Sequence, residues 1–340
     1  MNSGILSILS NSEKEKFMSV KIGLALGSGA ARGWSHIGVI RALEEHGIKA
    51  SVVSGCSIGA IVGAAYASSN LDKFEEWIRS LTGLELAKYA GLVMGTGFVN
   101  TTRLNDSFMQ HLCDEGQMFE DLDIPFAAVG TDLITGREVW FTKGDVLKAI
   151  FASIAIPGMF PSIRHKNSWV VDGGLVNPVP VNLCRSLGAD VVIAVGLNSD
   201  TVGKRSRKPD KEVVAKLEEQ ETAAEGVSAK SSALQHHSDD LFDTLKGTFK
   251  EYSSSIFPSR PATEAPPKPP SFFDTIASSV NIMQDRIARS RMAGDPPDVL
   301  ISPRLSHIGL MEFHRADETI KAGYDLTIKQ MDLIRYAIGE

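Results

Sequence analysis

Short, wholly apolar runs alternate with longer amphipathic ones along this chain, and that alternation predicts an α/β protein. Lys21 to Leu26 (Lys-Ile-Gly-Leu-Ala-Leu) reads as a buried strand, because a short apolar run ending at glycine has no polar face to give to water. From Trp34 to Glu45 the period becomes helical, with Ile37, Ile40 and Leu43 on one face and Arg41, Glu44 and Glu45 on the other. Gly47 then gives a C-cap signal. Ser51 to Val53 predicts a second strand and the small-residue run Ala60 to Ala67 a second helix. A βαβα opening with glycine-rich loops predicts a three-layer α/β/α fold around a mostly parallel central sheet.

The same reading continues down the chain. Leu71 to Leu112 reads as helical, broken by Gly83 and by a flexible segment from Gly91 to Gly97. Phe126 to Thr131 and Glu138 to Thr142 read as the two strands of a hairpin around Thr135-Gly136. Lys148 to Ile156 predicts a helix stopped by Pro157. Trp169 to Val171 is a short strand ending at Asp172-Gly173-Gly174, and Val191 to Val195 is an all-apolar strand. From about Asp200 to Pro270 the pattern dissolves into a basic cluster, an Ala/Glu-rich run and a proline tract from Pro258 to Pro270, which is linker composition. Two amphipathic stretches stand near it: Leu241, Leu245, Phe249, Tyr252 and Ile256 within the 200–270 segment ahead of the prolines, and Phe273, Ile276, Val280, Met283 and Ile287 after them. They read as helices docked on their own domain, or as a lid or membrane-contacting flap. Strand Asp298 to Ile301 and a final helix from Glu318 to Ala337 return to core character. The expected organisation is a tail over 1–19, a catalytic core over 20–199, a variable insertion over 200–271, and C-terminal helices and a strand over 272–340 that complete the core.

Composition narrows this picture. With 340 residues, 43% hydrophobic, the chain can bury a sizeable core. A net charge of −6 argues against a nucleic-acid partner. Three scattered cysteines offer neither a disulfide framework nor a zinc site and suit a reducing, cytoplasmic setting. No apolar run reaches the ~18 residues that would cross a bilayer. The first 19 residues lack a basic n-region and a cleavage pattern, so a secretory signal is not expected.

The candidate chemistry centres on Gly55-Cys56-Ser57-Ile58-Gly59. A strand before and a helix after are the context of a nucleophile elbow, where glycines two residues either side allow a turn tight enough to expose a serine. Upstream, Gly27-Ser28-Gly29-Ala30-Ala31-Arg32-Gly33 joins a strand to a helix. Its spacing departs from the dinucleotide fingerprint, and the second strand ends in Ser54 where a ribose-binding acid would stand. The loop instead offers free amides, a cradle for a tetrahedral oxyanion. A serine hydroxyl also needs a base. Of the eight histidines, His36 and His46 lie on the helix before the elbow, His111 at a helix end, and His165 among charges. His236 and His237 fall in the insertion, and only His307 and His314 come late enough for the order of a conventional Ser-Asp-His triad. Asp172 is a different kind of candidate: a strand-end carboxylate followed by two glycines that clear room beside it, able to act as base directly if held against the hydroxyl.

These blocks together resemble the patatin-like phospholipases, in particular their bacterial and neuropathy-target-esterase-like branch. The resemblance rests on Gly27 to Gly33 with His36-Ile37-Gly38-Val39, on Gly55 to Gly59, on Ala152-Ser153-Ile154-Ala155-Ile156-Pro157, and on Asp172-Gly173-Gly174-Leu175-Val176-Asn177-Pro178. It implies a Ser57–Asp172 dyad with Ser57 as nucleophile and Asp172 as base. It further implies an oxyanion hole from the amides of Gly29 and Ala30 with Arg32 adjoining, lipid acyl-ester substrates, and neither calcium nor any other cofactor. Ser28 and Ala30 stand where the family often has glycine. The leading expectation is therefore a lipid acyl hydrolase working through an acyl-enzyme, with room for peripheral membrane contact. The competing expectations are a lipid acyltransferase using the same dyad and a regulatory or scaffolding protein that binds a partner through the insertion.

Overall fold

The computed structural model describes residues 20–93, 97–99, 101–198 and 272–340. The tail over 1–19, the insertion over 200–271 and its amphipathic stretch around Leu241 to Ile256 lie outside the described residues. The described elements belong to one unit that draws on the chain from both sides of 204–271.

Four parallel ladders form the body of the central sheet. Strands β1 (Ile22–Leu26), β2 (Val52–Cys56), β5 (Phe126–Asp132), β9 (Val191–Val195) and β10 (Val299–Ile301) run in the order β10-β9-β1-β2-β5. The expected strands are present. All five β2 residues and four of five in β1 are buried, as a strand covered on both faces requires. Alternation sorts the side chains between two helical layers. Leu24, Leu26, Val53, Ile193, Val195 and Ile301 join the larger core with helices α1 (Ser35–Glu45), α2 (Ile58–Ala67), α3 (Leu71–Ser80) and α6 (Val146–Ser153), and with α9 (Ala316–Lys329) and α10 (Met331–Ile338). On the other face Ala25, Val52, Val192 and Ala194 pack with α7 (Val181–Ser186) and with Ala288 and Met292 of α8 (Phe272–Gly294). This is the three-layer α/β/α arrangement read from the sequence.

The sheet is mixed rather than parallel throughout. Strand β5 forms the expected hairpin with β6 (Glu138–Phe141), and β8 (Ser168–Asp172) pairs antiparallel with both β5 and β7 (Ile163–His165). Strand β7 was not anticipated, because Ile-Arg-His is too short and polar to show alternation. The segment after α4 (Gly83–Ala87) also differs from its helical reading: β3 (Ala90–Val93) and β4 (Gly97–Val99) form a small antiparallel pair before α5 (Thr101–His111). The single final helix is two, meeting at Gln330.

The register of β5 explains where a site can form. Partner β6 holds one flank of β5 over Ala128 to Thr131. Hence β2, paired from Phe126 to Val129, and β8, paired from Gly130 to Asp132, share the opposite flank. They run in opposite directions, so their carboxyl ends abut at the middle of β5: Cys56 faces Val129 and Asp172 faces Gly130. One further close contact sets the frame. Helices α1 and α9 cross backbone to backbone, where a Cβ on Gly38 would lie 1.9 Å from the Ile320 carbonyl oxygen.

Candidate active site

Ser57 occupies the one residue between the end of β2 and the start of α2. Its backbone has φ 55° and ψ −120°, a conformation that costs a non-glycine residue roughly 1–3 kcal/mol and must be held in place by its surroundings. Close packing of the turn supplies that hold. A Cβ at Gly59 would sit 2.1 Å from the Leu26 carbonyl oxygen, and one at Gly55 would sit 2.5 Å from the Gly59 oxygen. Neither distance is tolerable, so both glycines of the elbow are required by contact. The Ser57 N–H donates to Ser153 Oγ (2.9 Å), and Ser153 Oγ–H donates to the Val129 carbonyl (2.7 Å). Ser153 thus ties the turn to β5. Nothing in the sequence marks Ser153 for this task, since a helical serine carries no signal of its own.

The abutment of β2 and β8 brings Ser57 and Asp172 together. Ser57 Oγ–H donates to Asp172 Oδ2 at 2.7 Å. The other carboxyl oxygen, Oδ1, accepts the Gly174 N–H at 2.7 Å, and the Asp172 backbone is fixed by N–H donation to the Ala155 carbonyl and by Thr131 Oγ1 donating to its own carbonyl. Asp172 is 1% exposed and Ser57 6%. Burial penalises the carboxylate and pushes Asp172 up from the ordinary 3.8 to about 6, against the opposing pull of the hydrogen bonds from Ser57 and Gly174. That value leaves it ionised at neutral pH yet basic enough to take a proton from an attacking hydroxyl. Cys56, next to the serine, is buried among Ala127, Val129 and Leu183, and burial raises its thiol well above its usual range. It is an apolar wall.

The glycine-rich loop lies beside this pair at the carboxyl edge of the sheet. Its amides divide into two groups. Gly27 N–H donates to the Val195 carbonyl, Ser28 N–H to Pro178, Ala31 N–H to Leu310, and Arg32 N–H to Gly29. The amides of Gly29 and Ala30 have no such acceptor among the described residues. Ala30 has φ 50°, in the left-handed region that costs an L-residue roughly 1–2 kcal/mol. Arg32 is buried, and its Nε donates to the Ile308 carbonyl at 3.1 Å, so it pins the loop to the segment after β10. His36 does the same from below. Burial lowers it to about 4, so the neutral ring donates through Nε2 to the Gly27 carbonyl (2.8 Å).

One participant came from beyond the insertion and was not foreseen. Gln284, on α8, accepts through Oε1 from Ser28 Oγ (3.0 Å) and from Asn198 Nδ2 (3.2 Å). A Cβ on Gly174 would lie 2.3 Å from Gln284 Nε2. Ser28 therefore tethers the loop to α8. Sequence periodicity could not signal this, because a buried glutamine within an amphipathic run looks like a solvent-facing one.

Three of the described histidines have partners away from the serine. His111 stacks on Trp77, His165 packs edge-on against Phe141, and His307, about half exposed, pairs with Glu318 at 2.7 Å. The Ser57 hydroxyl reaches its carboxylate directly, with no imidazole between. Among the described residues there is no cluster of three or more His, Cys, Asp or Glu that could hold a metal ion, and no helix is long and apolar enough to cross a membrane.

A serine on a tight strand–helix turn, a buried carboxylate against its hydroxyl and a loop of free amides form an arrangement suited to nucleophilic attack on an ester. Comparison with known proteins gives the family: the chain belongs to the patatin-like phospholipases, whose sequence profile matches residues 24–185. It is 32% identical over 333 residues to an NTE family protein of Mycobacterium tuberculosis, covering 92% of each chain. It is 35% identical over 190 residues to human patatin-like phospholipase domain-containing protein 6, covering 52% of this chain and 13% of that one. Lysophospholipase NTE1 of Pyricularia oryzae is 27% identical over 325 residues, covering 92% of this chain and 18% of that protein.

Proposed function

We propose that this protein is a serine acyl hydrolase that cleaves lipid acyl esters, phospholipid or lysophospholipid, through a Ser57–Asp172 dyad and a covalent acyl-enzyme. The observation that carries the reading is the 2.7 Å hydrogen bond between a strained serine hydroxyl and a buried carboxylate. Asp172 Oδ2 accepts the hydroxyl proton as Ser57 Oγ attacks the ester carbonyl carbon. The carbonyl oxygen becomes an oxyanion, and the Gly29 and Ala30 amides donate to it. Collapse of the tetrahedral centre expels the lipid alcohol, which leaves with the proton from Asp172. Water then attacks the acyl-enzyme, giving its proton to Asp172, and the fatty acid departs as Ser57 regains its hydrogen. Arg32 acts on this chemistry by holding the loop through Ile308.

Each step uses a side chain or amide of this chain, which favours a calcium-independent reaction. The name lysophospholipase carried by one relative makes a single-chain phospholipid the first substrate to try. The deciding experiment compares fatty-acid release from lysophosphatidylcholine, phosphatidylcholine and triacylglycerol by the wild type and by Ser57→Ala. Release from at least one lipid in the wild type, lost in Ser57→Ala with thermal unfolding retained, supports the reading. Wild-type rates in Ser57→Ala would end it. An added alcohol acceptor that diverts the acyl group from water would move the assignment to an acyltransferase.

A further inference from the structure

The antiparallel end of the sheet stands above the site as a wing. Strands β1, β2, β9 and β10 finish level with one another, near Val129 of β5. Strand β5 continues past Gly130, which faces Asp172, and turns over at Leu133 to Gly136. At the rise of an extended strand the hairpin tip reaches about 10 Å beyond the level of the dyad. The hairpin of β7 and β8 accompanies it, with its turn at Lys166 and Asn167.

Four large apolar side chains stand exposed on this wing. Leu133 is 56% exposed, Ile134 75%, Trp140 44% and Trp169 47%. The Leu133 N–H donates to the Trp169 carbonyl (2.8 Å), which sets those two residues side by side. Trp140 faces Val129, and Thr131 faces both Glu138 and Val171, so strand alternation puts both tryptophans on one face of the wing. Two exposed tryptophans beside two branched aliphatics is an arrangement that water disfavours and a lipid headgroup boundary accepts.

The charges around the tip point the same way. Arg137, Arg164 and Lys166 are exposed and form no ion pair with a described residue. Arg164 sits directly across from Trp169. The acids within the wing are already engaged. Asp132 Oδ1 accepts the amides of Ile134 and Thr135, and Glu138 accepts from Arg291, Asn177 and Trp140. Three basic side chains with no ion partner among the described residues thus stand beside the exposed apolar tip of a chain whose net charge is −6. The Glu138–Arg291 pair also fastens the wing to α8.

Resting on the lipid-ester reading above, we propose that this wing, with Leu133, Ile134, Trp140 and Trp169 as anchors and Arg137, Arg164 and Lys166 as the basic rim, docks the protein on an anionic lipid bilayer. It holds the carboxyl edge of the sheet, and the dyad with it, toward the headgroup layer. The partner is a membrane surface rather than a second protein, because basic side chains around interfacial tryptophans complement anionic headgroups.

The test uses the full chain in vesicle flotation, with vesicles of phosphatidylcholine alone or of equal parts phosphatidylcholine and phosphatidylglycerol. The wild type floats with the anionic vesicles and less with the neutral ones. The double variant Ile134→Glu/Trp169→Glu loses flotation by roughly tenfold or more, while hydrolysing a water-soluble short-chain ester at the wild-type rate. Arg137→Glu/Lys166→Glu removes the preference for anionic vesicles. Equal flotation of the wild type and the Ile134/Trp169 variant overturns the proposal, as does a wild type that floats with neither vesicle. It is also overturned if sedimentation velocity shows a wild-type dimer that the variant converts to monomer without any vesicle binding. Flotation of a wild type that hydrolyses no ester leaves the wing standing and removes the catalytic reading instead.

Discussion

Asp172→Asn exchanges a buried carboxyl for an amide of the same size, and its two readouts move in opposite directions. The carboxyl is held at about 6 instead of the ordinary 3.8 because burial disfavours its charge. Moving from 3.8 to about 6 corresponds to about 3 kcal/mol. Its sign follows from which state holds the proton. Between pH 4 and 6 the folded protein keeps a proton on Asp172 that the unfolded chain has released, so this group's contribution is fully present below about pH 4 and is lost as pH rises through about 6. At pH 8 the folded enzyme therefore carries an ionised carboxylate in a site that would prefer a neutral group. The asparagine variant carries none. Its amide oxygen still accepts the Gly174 N–H, and its NH2 group can donate to Ser57. At pH 8 it unfolds at a temperature higher by roughly 5 °C, an upper figure because the amide must settle into the dyad geometry. Activity moves the other way. The wild-type kcat/KM climbs with pH and levels off above about 6 as Asp172 ionises, whereas the variant lacks that rise and is slower by about 10²–10⁴ on the plateau. Differential scanning fluorimetry of both proteins from pH 4 to 8, beside initial rates on a soluble ester, gives both curves. An Asp172→Asn protein with unchanged or lower stability at pH 8, or with the wild type's pH dependence of unfolding, refutes the reasoning about the buried charge.

Three further outcomes follow from contacts around the site. Gly59→Ala puts a Cβ 2.1 Å from the Leu26 carbonyl oxygen and costs about 3 kcal/mol or more, read as a drop in Tm or as loss of soluble protein. Ser153→Ala leaves the Ser57 N–H and the Val129 carbonyl without their shared partner. It lowers stability by about 1–3 kcal/mol in chemical denaturation and slows ester cleavage through a displaced Ser57. Chelation with EDTA leaves the rate on a soluble ester unchanged, because every proposed step runs on Ser57, Asp172 and backbone amides; a loss restored by added calcium contradicts it.

Much of this was legible in the residues alone, for identifiable reasons. Ile22 to Leu26 and Val191 to Val195 announce themselves because strands covered on both faces have no polar alternation to hide in. The elbow and the Asp172 turn were readable because their glycines answer local contacts, Gly59 against Leu26 and Gly173 against Val129, so the requirement is written where the function is. The rest depended on distance along the chain. Strand β7 is three residues of mixed polarity, stabilised by pairing to β8 rather than by its own pattern. The small β3–β4 pair falls where glycines suggested only a break in a helix. Gln284 reaches Ser28 across 256 positions, and no local signal separates such a glutamine from one that faces water. The direction of β8, antiparallel to β5, was hidden for the same reason, since a strand's direction comes from its partner.

Ser57 as nucleophile is best tested by mass-spectrometric mapping of a fluorophosphonate adduct on the intact protein. A single adduct is expected on the peptide bearing Ser57, absent in Ser57→Ala and formed far more slowly in Asp172→Asn. An adduct on another residue, or labelling of Ser57→Ala at the wild-type rate, contradicts it.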